Sequence, residues 1–127
     1  MLKRTTALIA GSALLAVPAV TLVAAPASAD VERSGACGGG RYELSVDREG
    51  AGWEVNADLD RVAPGSRWRV VLKHDGRTFY SKVRTADREG DLDVERFRRD
   101  TAGKDSFRLV AKRVNGTATC ARTITVG

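Results

Sequence analysis

His74 is the only histidine in the chain and stands beside Asp75, a pairing from which a nucleophilic triad is built. A triad also needs a serine. Beyond residue 29 the candidates are Ser34, Ser45, Ser66, Ser81 and Ser106, and none has the context of a nucleophile elbow. His74 is therefore expected to be an exposed histidine at a strand end. Carboxylate pairs for glycoside cleavage exist, Asp58 with Asp93 for example, but nothing in their spacing raises a pKa or forms a cleft. The alternate acids of Asp87-Arg88-Glu89-Gly90-Asp91-Leu92-Asp93 offer oxygens to a hard cation such as calcium. That stretch lacks the residue order and distal glutamate of an EF-hand, so it reads as a solvated turn. Trp53 and Trp68 have faces on which sugars stack, yet both share the parity of Val55, Val70 and Leu72 and are expected in the core. Asn115-Gly116-Thr117 matches a glycosylation acceptor, and its first two residues equally suit a tight turn. No catalytic residue, metal ligand set or cofactor site emerges, and the chain reads as non-enzymatic.

Cys37 and Cys120 are the only cysteines. A redox pair would favour Cys-x-x-Cys spacing, so these two read as a structural disulfide formed in an oxidising compartment. The bridge closes about 84 residues and by chain entropy contributes roughly 4–5 kcal/mol, an upper figure because strain and residual denatured structure subtract.

The compartment follows from residues 1–29. Lys3 and Arg4 begin them, an apolar run extends from Ala7 to Ala25, and Ala27-Ser28-Ala29 supplies small residues before Asp30. That is the layout of a secretory signal peptide, and Pro18 with the small-residue exit favours cleavage over an uncleaved anchor. A lone arginine disfavours a twin-arginine signal, and no cysteine follows at a lipid-attachment position. Residues 30–127 hold all 16 acidic residues, 19 of the 21 basic ones and a formal net charge of +3. No second hydrophobic segment follows, so the product is expected to be secreted, with no membrane span after cleavage. A chain of 127 residues has room for one domain. Its histidine and cysteine count excludes a zinc site built from several of each or a haem pair, and its single apolar run excludes a bundle of membrane helices.

The elements that must position these residues alternate with a period of two. Tyr42, Leu44 and Val46 oppose Glu43, Ser45 and Asp47 in parity, and Trp53, Val55, Ala57 and Leu59 oppose Glu54, Asn56, Asp58 and Asp60. Trp68, Val70 and Leu72 return through an Asp75-Gly76 hairpin to Phe79, Ser81 and Val83. Leu92 with Val94, then Phe107 with Leu109 and Ala111, then Cys120 with Ile124 and Val126 complete seven short strands, the signature of an all-β sandwich. Residues 30–40 form an N-terminal segment carrying Cys37, and 41–127 the sandwich proper. Arg122, polar at an inward parity, marks a bulge or a sheet rim.

Thr85-Ala86-Asp87, Gly90-Asp91-Leu92-Asp93-Val94 and Gly103-Lys104-Asp105-Ser106-Phe107-Arg108-Leu109-Val110-Ala111 together resemble the second half of bacterial extracellular immunoglobulin-like modules. The resemblance implies an immunoglobulin-like fold and no activity. Phe107 stands where a tyrosine corner would place a tyrosine. The exported part is also similar to small secreted actinobacterial proteins without an assigned role.

With the Asp75-Gly76 turn setting the register, Arg69 faces Lys82 and Arg67 faces Arg84 on the outer side. In an immunoglobulin-like sandwich the third, fourth, sixth and seventh strands share a sheet, whose exterior would gather Arg67, Arg69, Lys73, Lys82, Arg84, Arg108 and Lys112 with no acid. The other exterior would gather Glu43, Asp47, Glu54, Asp58, Asp91, Asp93 and Glu95. A composition rich in both signs puts charge on any exterior, but like charges directly opposite across strands are destabilising, so stability alone does not select this sorting. A basic face that docks an anionic partner is expected: an envelope polymer, a glycan or an acidic protein. Its binding residues are Arg67, Arg69, Lys82, Arg84 and Arg108. The alternative is a secreted inhibitor or effector acting through a loop from Phe97 to Lys104, with Arg98 and Arg99 exposed. Head-to-tail association of opposite faces is the remaining use of the pattern. A monomer is expected over an oligomer, and nothing specifically indicates nucleic acid.

Overall fold

A computed structural model describes residues 30–127. The signal peptide inferred over residues 1–29 lies outside the described residues. Eight strands follow one another: β1 (Asp30–Cys37), β2 (Gly40–Glu49), β3 (Gly52–Asp60), β4 (Arg67–His74), β5 (Arg77–Thr85), β6 (Leu92–Arg99), β7 (Asp105–Arg113) and β8 (Thr119–Val126). They form two antiparallel sheets, ordered β1-β2-β3-β6 and β5-β4-β7-β8. No helix among the described residues is long and apolar enough to cross a membrane.

The period-two pattern decides which residues turn inward. Leu44, Val46, Val55 and Leu59 from the first sheet, and Trp68, Val70, Leu72, Phe107 and Leu109 from the second, are all buried. They join one hydrophobic cluster, so the sheets are layered in a sandwich-like arrangement. Each large side chain removed from water contributes roughly 1.5–3 kcal/mol. The hairpin between β4 and β5 turns through Asp75 and Gly76, at φ 50° and 84°. Asn115 closes the β7–β8 connection at φ 59°, a conformation that asparagine tolerates better than most residues.

Three features differ from the alternation alone. The first is an additional strand, β1, in the segment that carries Cys37. Glu32-Arg33-Ser34 shows no apolar alternation, but the stretch pairs with β2 from Asp30↔Asp47 to Cys37↔Gly40 through backbone hydrogen bonds, which polar side chains do not prevent. Gly35 makes room for the Tyr42 ring opposite it, because a Cβ there would stand 2.7 Å from the ring. Second, β6 runs on to Arg99, so the supposed loop from Phe97 begins inside a strand.

Third, the β4–β5 register shifts between Leu72 and Lys73. Lys73 faces Thr78 and Leu72 faces Tyr80, leaving Phe79 as the extra residue of a bulge. Beyond it every side chain of β5 changes face: Tyr80 is 5% exposed and Val83 is 37% exposed. Cys37 and Cys120, bridged with their Cα atoms 5.6 Å apart, tie the edge strand of one sheet to the edge strand of the other.

Candidate functional site

The exterior of β5-β4-β7-β8 carries Arg67, Arg69 and Lys73 from β4 and Arg108 and Lys112 from β7. Arg69 lies directly opposite Lys112, and Lys73 directly opposite Arg108. Between these two rows of cations runs an aliphatic row, Val71, Val110 and Ala121. Outward positions of β5 and β8 supply serine, threonine, valine and alanine, so no strand position on this exterior is acidic. Arg108 donates to Thr123 Oγ1 at 2.8 Å and Arg69 to Ser81 Oγ at 3.3 Å, which leaves both guanidinium groups without a carboxylate partner on the face.

The opposite exterior has the opposite sign. Asp47 faces Glu54 across β2 and β3 and faces Asp30 on β1, while Asp58 stands between Glu43 and Asp93. Burial first, and then the hydrogen bond and charge of Asp93, push the Asp58 carboxyl up to about 7. Burial and neighbouring carboxylates likewise raise Glu43 and Asp47, and the charge of Glu54 raises Glu95. The Asp58–Asp93 pairing thus does raise a pKa, contrary to the reading from spacing, although the two stand on an open sheet face. Asp91 falls just before β6, where its carboxylate accepts the Arg61 backbone N–H at 3.2 Å.

The five predicted binding residues divide. Arg67, Arg69 and Arg108 share the basic exterior. Lys82 and Arg84 do not, because the bulge turns them to the inward parity of β5, opposite Val70 and Trp68. There, on the side of the sandwich where edge strands β5 and β6 lie, Lys82 Nζ is 5.9 Å and Arg96 4.7 Å from the Tyr80 ring centroid, and Arg84 donates to the Tyr80 hydroxyl at 3.0 Å. Arg98 lies 4.6 Å over Phe79. The cation-against-cation pairing expected between β4 and β5 occurs instead between β4 and β7. Arg96 joins this group, and its mark in the sequence is a polar residue continuing the inward parity of Leu92 and Val94.

His74 is also corrected. It is 5% exposed, stacked 4.3 Å from Phe107 by ring centroids. Its Nε2 lies 2.7 Å from the fully buried Asp105 carboxylate, and its Nδ1 accepts from Arg98 Nε at 3.3 Å, the pattern of a ring protonated on Nε2. Thr101 and Trp53 also donate to Asp105, at 2.6 and 3.3 Å. Donor atoms of His74, Asp75 and Asp105 lie within 4.8 Å of one another, a grouping that could hold a cation. The protein's own donors already satisfy Asp105, and no side-chain oxygen or nitrogen among the described residues is buried without a partner. Thr101 donates to Asp105 and not to the imidazole, so no activated nucleophile results.

The remaining candidates are held by the fold. Asp87 Oδ1 accepts the backbone N–H groups of Glu89 and Asp91, capping its own turn. Asp100 pairs with Arg48 at 2.8 Å, an interaction that lowers its carboxyl below the usual range. Trp53 and Trp68 are 4% and 0% exposed, consistent with core packing. A shallow depression lined by Arg41, Asp60, Arg61, Glu89 and Asp91 holds charges of both signs and no serine, threonine, cysteine or histidine. No family model, curated protein or solved structure matches the chain.

Proposed function

We propose that the chain is a secreted, non-enzymatic binding module of immunoglobulin-like form, which docks an anionic partner on the outer face of β5-β4-β7-β8. The observation that carries this reading is the opposition of Arg69 to Lys112 and of Lys73 to Arg108, with no acid on the same face. Cross-strand cation pairs cost stability, and a polyanion laid along both rows would offset that cost. The Val71–Val110 row between them supplies an apolar floor. Arg67 extends the charged strip, and Lys82 and Arg84 stand beyond it at the β5 edge. Export is supported by the tripartite leader and by a disulfide.

The effector reading is less well supported, because Arg98 is engaged with His74 and Phe79 and Asp100 is tied to Arg48. Binding to heparin, used as a model polyanion, tests the docking face. Affinity should fall steeply as salt rises and be lost in an Arg69→Glu/Lys112→Glu variant. Affinity indifferent to ionic strength would overturn the proposal.

A further inference from the structure

The two exteriors match each other. On β3, Glu54 and Asp58 are four residues apart, and each heads a row of carboxylates, Asp47 beside Glu54 and Glu43 with Asp93 beside Asp58. On β4, Arg69 and Lys73 are also four residues apart, and each heads a row of cations completed by Lys112 and Arg108. At about 3.3 Å per residue, both pairs of rows are roughly 13 Å apart, and the members of each row follow the same interstrand spacing of about 4.8 Å. Between the rows, Ser45 and Asn56 leave the centre of the acidic face uncharged, with Glu32 and Glu95 at the ends of that stripe on the edge strands, and Val71 with Val110 occupy the corresponding stripe of the basic face.

We propose that the acidic face of β1-β2-β3-β6 in one copy docks on the basic face of β5-β4-β7-β8 in a second copy, so that the chain assembles head to tail. This rests on reading the basic face as a docking surface and names a second copy as its anionic partner. Each face alone repels itself across strands, and stacking places the two rows headed by Glu54 and Asp58 against the two rows of cations headed by Arg69 and Lys73. Because the faces lie on opposite exteriors, the contact is heterologous and leaves one free face of each sign at the ends of a stack. A flat face of four strands and about eight residues covers roughly 500 Å², so the contact falls in the small, weak class and needs low salt and high concentration.

Sedimentation velocity over a range of protein concentrations, at low and high salt, tests the stack. The weight-average sedimentation coefficient should climb with concentration at low salt and stay flat at high salt. The climb should vanish in Glu54→Lys/Asp58→Lys and in Arg69→Glu/Lys112→Glu. A neutral variant, Glu54→Gln/Asp58→Asn, should weaken it and guards against misfolding of the reversals; far-UV circular dichroism on each variant reports the fold. A wild-type monomer at every concentration in low salt, or association that survives folded variants of the acidic face, overturns the stack. Heparin binding separates the two proposals: it should persist in the acidic-face variants. Salt-dependent heparin binding by a strict monomer removes the stack alone, and loss of both behaviours removes the docking face as well.

Discussion

Asp58 shows how one side chain reports on its surface. Its carboxyl is raised from 3.8 to about 7 by burial and by the facing Asp93, with Glu43 and Asp60 adding to the effect. A carboxyl whose folded pKa is raised binds its proton more tightly in the fold than in the unfolded chain. The resulting stabilisation is present below about pH 4 and is lost as pH rises through about 7. Melting temperature should therefore fall between pH 4 and pH 8. Asp58→Asn should flatten that slope and raise the midpoint at pH 8 by up to about 5 °C, the shift that roughly 1 kcal/mol produces in a domain of this size. A midpoint at pH 8 unchanged by the substitution would contradict the repulsion. Asp105 is held by hydrogen-bond donors and not by neighbouring carboxylates. It is fully buried and accepts from His74, Thr101 and Trp53, so Asp105→Ala strands the His74 and Trp53 donors in the interior. Urea denaturation should show a loss of roughly 3–5 kcal/mol.

At the scale of elements, the four edge strands share a device. Arg33 on β1, Lys82 and Arg84 on β5, Arg96 and Arg98 on β6, and Arg122 on β8 all sit at the parity of the core. Arg122 reaches across to the Tyr42 hydroxyl at 3.3 Å, and the unbroken β7–β8 register identifies its position as a rim and not a bulge. Inward-parity charge at an edge blocks pairing with a further strand. Lys82→Val/Arg84→Val should accordingly keep the fold but increase light scattering on incubation below the melting point. Unchanged scattering would mean that these cations do not guard the edge. The faces of β5 are not legible in the sequence: the Asp75-Gly76 turn marks the hairpin, but the bulge at Phe79 adds a residue without a local sequence mark. With uninterrupted pairing, Val83 would face the core and Lys82 the solvent; the extra residue reverses both.

The whole molecule is fastened along one side by a disulfide between the edge strands β1 and β8, and along the other by noncovalent contacts between β5 and β6. Replacing both cysteines, Cys37→Ala/Cys120→Ala, frees a loop spanning most of the described residues. It should lower unfolding free energy by up to roughly 4–5 kcal/mol, measured by urea denaturation with wild type as the reference. A loss near zero would place the disulfide's contribution outside chain entropy. Charge is distributed on the same scale, with carboxylates predominating on one exterior, where Arg41 is a cation among them, only cations on the strands of the other, and the edge cations along the rims.

How much of this was legible depends on range. Alternating parity placed Leu44, Val55, Val70, Phe107 and Ile124 in the core, because side chains alternate faces strand by strand whatever lies beyond, whereas the allotment of their strands to two sheets rested on the immunoglobulin-like resemblance. Parity and that sheet assignment together separated the acidic from the basic exterior. It did not reveal β1, which is held by backbone pairing, or the burial of His74, which depends on Asp105, 31 residues distant in the chain. Nor did it show which cations oppose which, since one inserted residue in β5 redirects every later side chain. Local periodicity determined the faces; the tertiary structure decided the partners, because register and long-range hydrogen bonds are set by both strands of a pair at once.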